Sequence, residues 1–348
     1  MTDSGVVLST FMFDSDAFSG SEGLDRWRDL GSATHDIAVD ADTAFHVRAA
    51  AFRYGSFVLS CGEITPQAFI RTRHRIWRDP VDDYAIFTIG NGTRLAVLDD
   101  AEILLQPGEI QICDLAQQET SVSSGGTSTT LYLSRPMLDA LIPGMSRHHG
   151  AILRTERARL LSRHLLSASR YLNTLPADSV ASFTDLTTTF AVDLLLSAFR
   201  PAGAVREDAA VDREAVVTFI RDHLGEPGFS LDTLLMHFPL SRSALYRMFE
   251  GDGGVEHFIR TERLRAIRLV LLRNQDGRSL QDLARDHGFR SGFALTRAFR
   301  EAFGQPPSAL RGNPLPVADM LDPAHVGGMT MREVIQRSTS RGQASAAF

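Results

Sequence analysis

Two stretches of the C-terminal third repeat one another, and no other feature of the chain restricts its fold so much. Ser230 to Phe249 and Ser279 to Phe299 both begin Ser-Leu and place a leucine four residues after that serine (Leu234, Leu283). Both break after a short helical run and end Leu-x-Arg-x-Phe, as Leu245, Arg247, Phe249 and as Leu295, Arg297, Phe299. Leu and Phe four apart share a helix face, so each stretch reads as two short helices joined by a tight turn, with that face inward. Ser230 and Ser279 stand as N-caps of the first helices, Ser241 and Ser291 as N-caps of the second. Such helix starts also present free backbone N–H groups that suit a phosphate.

One such pair alone is more readily a packing unit than anything else. Two in tandem say more, because "GGVEHFIRTERLRAIRLVLLRNQ" between them supplies a long helix able to hold them at a fixed separation. Second helices about 34 Å apart would enter successive major grooves on one face of DNA. The four arginines of the linking helix, Arg260, Arg263, Arg265 and Arg268, read as a solvated face.

At 348 residues the chain exceeds one ordinary domain, and 43% apolar with 22% charged residues is the composition of a protein that folds. No run is long and apolar enough for a membrane helix, and the N-terminus is acidic, so a cytoplasmic location is expected. Cys61 and Cys113 are too few for a disulfide framework or thiolate metal site and read as buried thiols. The net charge is −6, and every basic residue is arginine. Any charged phosphate contact must then come from arginine, although overall charge alone does not suggest nucleic acid.

From about residue 44 to 135 the pattern alternates in the manner of strands, broken by Gly, Pro, Asn and Asp, which predicts a β-sandwich or barrel. "GNG" at Gly90 to Gly92 and "QPGE" at Gln106 to Glu109 read as turns. The strand-like "IRTRHRIW" sets Arg71, Arg73 and Arg75 on one face, read as solvated before it is read as an anion site. From about Leu138 to Arg200 apolar spacings of three and four predict two amphipathic helices, serving as core or as a dimer seam. Residues 201–210 read as a linker. The expected fold class is α+β and multidomain: sheet domain with two flanking helices over 1–200, helical DNA-binding domain over 211–312 with units about 231–250 and 279–302, and tail 313–348, with a possible short helix at "TMREVIQRS".

The segment Leu283 to Arg311 resembles the C-terminal signature of the AraC/XylS regulators, whose DNA-binding domain is two helix-turn-helix units joined by a long helix. Ala284, Gly288, Phe289, Phe299, Phe303, Gly304, Pro307, Ser308 and Arg311 stand where that pattern expects them. The chain departs from it at Pro239, where glycine is usual, and at Leu235 and Ile267, where alanine is usual. Proline cannot adopt positive φ, so the first turn must be built differently. More loosely, the N-terminal region is similar to the cupin-like sensing domain of the same family. The resemblance implies a transcription regulator, an activator more often than a repressor, that works as a homodimer with RNA polymerase.

Inward positions go to Leu245, Phe249, Leu295 and Phe299, which leaves the opposite faces for DNA. The first face offers Ser241, Arg242, Ser243, Tyr246 and Arg247, the second Ser291, Gly292, Phe293, Thr296 and Arg297. Arg242 and Tyr246 share a face and suit adjacent base edges, or one base and one phosphate. Gly292 and Phe293 imply thin or apolar readout, for instance of a thymine methyl. Arg247 and Arg297 divide evenly between bracing the fold and meeting phosphate. His35, His46, His74, Glu63, His148 and His149 lack metal-site spacing, and no catalytic constellation stands out, so neither cofactor nor enzyme is expected. The favoured partners are double-stranded promoter DNA and a small-molecule effector for the sheet domain. The alternative is a sheet domain that answers to a protein partner.

Overall fold

The alternating runs do become strands, and they assemble into two antiparallel sheets. The computed structural model describes residues 8–31, 34–40, 44–79, 81–98, 101–199, 213–226, 228–272 and 277–311. The described residues fall into two compact units. One runs to Leu138 and resumes over His148–Phe199; the other joins Asp139–Arg147 to the residues beyond 212. The expected linker and tail, with its possible helix, lie outside the described residues.

The strands are β1 (Ser9–Asp14), β2 (Asp36–Ala38), β3 (Val47–Tyr54), β4 (Phe57–Ile64), β5 (Gln67–Arg71) and β6 (Tyr84–Ile89). Then follow β7 (Arg94–Leu98), β8 (Ala101–Leu105), β9 (Ile110–Asp114), β10 (Glu119–Ser123), β11 (Gly126–Leu133) and β12 (Ile152–Leu153). One sheet has the order β1-β3-β4-β11-β6-β9-β12, the other β2-β5-β10-β7-β8. β1 and β2 precede the stretch in which strands were expected. β1 pairs with β3, Phe13 opposite Ala49, and so lengthens the larger sheet by one edge strand.

Side chains of both sheets meet in one core: Val47, Ala49, Val58, Ala85, Cys113 and Tyr132 from the larger sheet, Ile37 and Phe69 from the smaller. Helix α1 (Glu22–Gly31) adds Trp27 to that core, stacked on Phe13 at 5.5 Å. β10 alternates buried and exposed positions along its whole length, as a strand with one solvated face must.

The reading of "IRTRHRIW" as one basic strand is overturned. β5 stops at Arg71, and Arg73–Arg78 is helix α2, because the Thr72 hydroxyl accepts the Arg75 N–H at 3.2 Å and caps a helical turn. The three arginines therefore share no sheet face. Arg71 is only 1% exposed; it bonds Asp79 at 2.9 Å and the carbonyls of Leu115 and Val81 at 2.7 Å each. Arg75 pairs with Asp36 on β2.

The next helix, α3 (Arg135–Leu141), has its second half in the helical unit. The two expected amphipathic helices are α4 (Glu156–Tyr171) and α5 (Ala177–Phe199). α4 lies on β4, β6 and β11 and buries Ala158, Leu161 and Leu165. The helical unit continues with α6 (Arg213–His223), α7 (Leu231–His237), α8 (Arg242–Met248), α9 (Val255–Leu272), α10 (Leu280–Asp286), α11 (Gly292–Phe303) and α12 (Ser308–Arg311). Among the described residues no helix is long and apolar enough to cross a membrane.

Candidate nucleic-acid interface

The repeat appears as two helix pairs, α7 with α8 and α10 with α11. In the first, Leu234, Leu245 and Phe249 pack with Val216, Val217, Ile220, Val255 and Phe258 from α6 and α9. In the second, Leu283, Ala284, Leu295, Ala298 and Phe299 are buried. Three of the four serines accept the capping bond that their positions imply. Ser241 Oγ accepts from Ala244 N–H, Ser291 Oγ from Ala294 N–H and Ser279 Oγ from Asp282 N–H, all at 3.1 Å.

The two turns are built differently. After α10 the chain passes through Gly288 at φ +69°, which lets Phe289 N–H reach back to the Ala284 carbonyl at 2.8 Å. After α7 the chain leaves extended at Phe238, and Leu240 N–H bonds the Phe238 carbonyl at 2.7 Å around Pro239. Proline thus replaces a left-handed helix cap with an extended exit and a three-residue turn.

With one face of each second helix buried, the other is solvent-facing. Ser241, Arg242, Ser243, Tyr246 and Arg247 are all exposed on or just before α8. On α11, Phe293 is 80% exposed and Arg297 is exposed, while Ser291, Gly292 and Thr296 are half-buried. The Thr296 hydroxyl donates to the Gly292 carbonyl at 2.8 Å, which commits its proton within the helix. Arg242 pairs with Asp232 on α7 at 2.8 Å, both ends exposed, so solvent screening leaves this pair weak and its guanidinium easily released to another acceptor. Arg297 pairs with Glu301 at 2.9 Å, and Glu301 also receives Arg260 at 2.8 Å. The hydrogen bond from Arg297 holds the Glu301 carboxyl below its ordinary value. Arg247 has no ion-pair partner among the described residues, so the two repeated arginines differ.

Asp232, Glu301 and Gln281 escaped the sequence reading. Gln281 Oε1 accepts the Gly292 N–H at 2.9 Å and thereby fixes the start of α11 from α10. Only Glu301 carries a local signal, its position four residues after Arg297 on one helix; Asp232 and Gln281 act ten and eleven positions away.

The reading of the linking helix is corrected too. Of its four arginines only Arg260 is exposed. Arg263 donates to the Phe229 carbonyl at 2.7 Å, Arg265 to Glu262 at 2.6 Å, and Arg268 is buried with its guanidinium 5.4 Å from the Phe303 ring. α9 is packed on several sides by the helices of both pairs, so charges that look solvated on a helical wheel become braces. Glu262 is the partner of Arg265 and of Arg221 from α6. Burial pushes its carboxyl up, but Arg221 and Arg265 outweigh that and hold it at about 2.

The sheet unit holds a cavity of about 140 Å³ between its sheets, with Trp27, Ile37, Phe69, Phe87, Ile89 and Leu115 in its walls. Arg94 and Glu119 form a buried ion pair in its lining. Both cysteines are free. Among the described residues no group of three or more His, Cys, Asp or Glu side chains is placed to hold a metal ion.

The buried pairs, capped second helices and solvent-facing second faces define a protein with a double helix-turn-helix domain. Residues 235–313 match the family described as Helix-turn-helix domain. The XylDLEGF operon transcriptional activator 3 of Pseudomonas putida is 35% identical over 98 residues, which is 27% of this chain and 29% of that protein. The match thus spans less than a third of that relative's length. The helical unit thus carries a helix-turn-helix domain similar to part of that activator. Among solved structures the chain is similar to the AraC-like transcriptional activator CuxR, with TM-score 0.49 and 18% identity over 74% of this chain and 94% of that one. It is also similar to ToxT from Vibrio cholerae O395, with TM-score 0.38 and 13% identity over 74% and 97%.

Proposed function

We propose that this protein is a sequence-specific transcription regulator, acting as an activator, whose sheet domain over residues 1–200 binds a small molecule and whose domain over 211–312 binds promoter DNA. The carrying observation is that each second helix buries its Leu and Phe face and leaves the other open. Arg242 and Tyr246 share the open face of α8, Phe293 and Arg297 that of α11. In this reading Arg242 and Tyr246 reach base edges, Arg247 meets phosphate, Phe293 lies against a thymine methyl, and the starts of the second helices at Ser241 and Ser291 approach the backbone. Arg297 divides its charge between Glu301 and phosphate. The protein works as a homodimer with RNA polymerase in the cytoplasm.

The test is a salt-dependent titration of the full chain against a fragment of its own upstream region and a scrambled control. Preference for the native fragment with binding that weakens steeply as salt rises is the expected result. Arg242→Ala should lose about 1–3 kcal/mol on the native fragment and less on the control. Equal loss on both reassigns Arg242 to phosphate, and absence of binding to either fragment removes the DNA reading.

A second reading has its own observation. On the outer face of the smaller sheet Val122, Leu95 and Leu104 lie on one rung across β10, β7 and β8, with Val97 beside them, all at least 36% exposed. A row of this kind suits a protein partner for the sheet domain in place of an effector.

A further inference from the structure

The cavity between the sheets has a size and a charge state that narrow what it can hold. At about 140 Å³ it matches one small ring, since a dry apolar cavity of about 150 Å³ takes benzene. Its walls are mostly aromatic and aliphatic. The lining guanidinium, Arg94, is already committed: its Nη2 donates to Glu119, its Nη1 to Gln111, and its plane sits 4.7 Å from the Phe87 ring. Arg94 is 5% exposed and Glu119 4%, so neither is screened by water.

The second positive candidate in the lining is His35. Burial first, then the charge of Arg71, pushes its pKa down to about 3, so it stays neutral. A ligand carboxylate entering here would lose its water, find no free cation and meet the ionised Glu119. Desolvating an unpaired charge costs far more than a ring gains by burial. What remains for a ligand are neutral groups, among them the hydroxyls of Ser60, Thr130 and Tyr132.

We infer that the cavity takes a neutral, single-ring aromatic molecule with a small hydrogen-bonding substituent, and that Glu119 sets this choice by occupying Arg94. This rests on the proposal that the sheet domain binds a small molecule. Trp27, in the cavity wall with its indole N–H held by Gln67 Oε1 at 2.9 Å, is a built-in reporter.

Benzamide and benzoate are nearly the same shape and differ in charge. The full chain is titrated with each, reading tryptophan emission and Tm. Benzamide should bind about tenfold or more tightly than benzoate at neutral pH. In Glu119→Gln, which leaves Arg94 uncompensated, benzoate should become the preferred ligand. Benzoate binding as well as benzamide to the unaltered chain overturns the charge argument while the sensing reading stands. If neither changes emission or Tm, the cavity does not take a small aromatic ring and this inference falls, while a shift of Tm by any other small molecule keeps the sensing reading. The unaltered chain decides these outcomes even if Glu119→Gln does not fold.

Discussion

Gly288 shows how a single missing Cβ is used twice. Its φ of +69° is left-handed, which costs other residues about 1–2 kcal/mol. An added Cβ would also come within 2.7 Å of the Arg263 guanidinium carbon. Arg263 can move, since this is the far end of a flexible side chain, but moving gives up its bond to the Phe229 carbonyl. Gly288→Ala should therefore destabilise the helical unit by about 2–4 kcal/mol, strain plus a charge-assisted hydrogen bond. Denaturant unfolding of Gly288→Ala, Arg263→Met and the double variant separates the two effects. If the glycine cost stays the same in the Arg263→Met background, the close approach contributes nothing and only backbone strain is at work.

At the scale of elements, the passage from β5 to α2 is where local pattern and structure part. Arginines two apart look like one face of a strand, yet Thr72 caps a helix and Arg71 turns inward to tie β5 to Asp79 and to the carbonyls beyond it. Removing that side chain leaves Asp79, itself 1% exposed, without its ion-pair partner. Arg71→Ala should cost about 3–5 kcal/mol, and the double variant Arg71→Met with Asp79→Leu should recover much of it, because an apolar pair avoids the stranded charge. Thermal unfolding of the full chain measures both; a double variant no more stable than Arg71→Ala means the carbonyl contacts, not the charge, set the cost. The helix pairs were legible because serine caps and the four-residue Leu and Phe spacing act within one turn. The braces on α9 were not, because Phe229 and Phe303 meet Arg263 and Arg268, and Arg221 meets Glu262, only once the helices have packed.

Across the whole molecule the same division holds. Alternation and turn residues announced the sheets, whereas β1 found its place only through pairing with β3, and the cavity depends on the distance between sheets that no local pattern encodes. Carboxylates buried beside arginines are also a property of the assembled chain, and they set how it meets acid. Glu119 is pushed up by burial and pulled further down by Arg94; Glu262 falls from 4.5 to about 2 beside Arg221 and Arg265, with Asp139 within 4 Å of both arginines. A group whose folded pKa is depressed adds stability above its unfolded value, and that stability drains away as pH falls toward the folded one. Glu262 should thus add no pH dependence to Tm near neutrality, and Tm should fall as pH drops from 4.5 toward about 2. Glu262→Gln should lower Tm at pH 7, where it strands the two arginines, and flatten the fall below 4.5 relative to the unaltered chain. Parallel Tm curves for the two proteins through that window would mean that Glu262 titrates alike in folded and unfolded chains, and that the arginines around it serve packing alone.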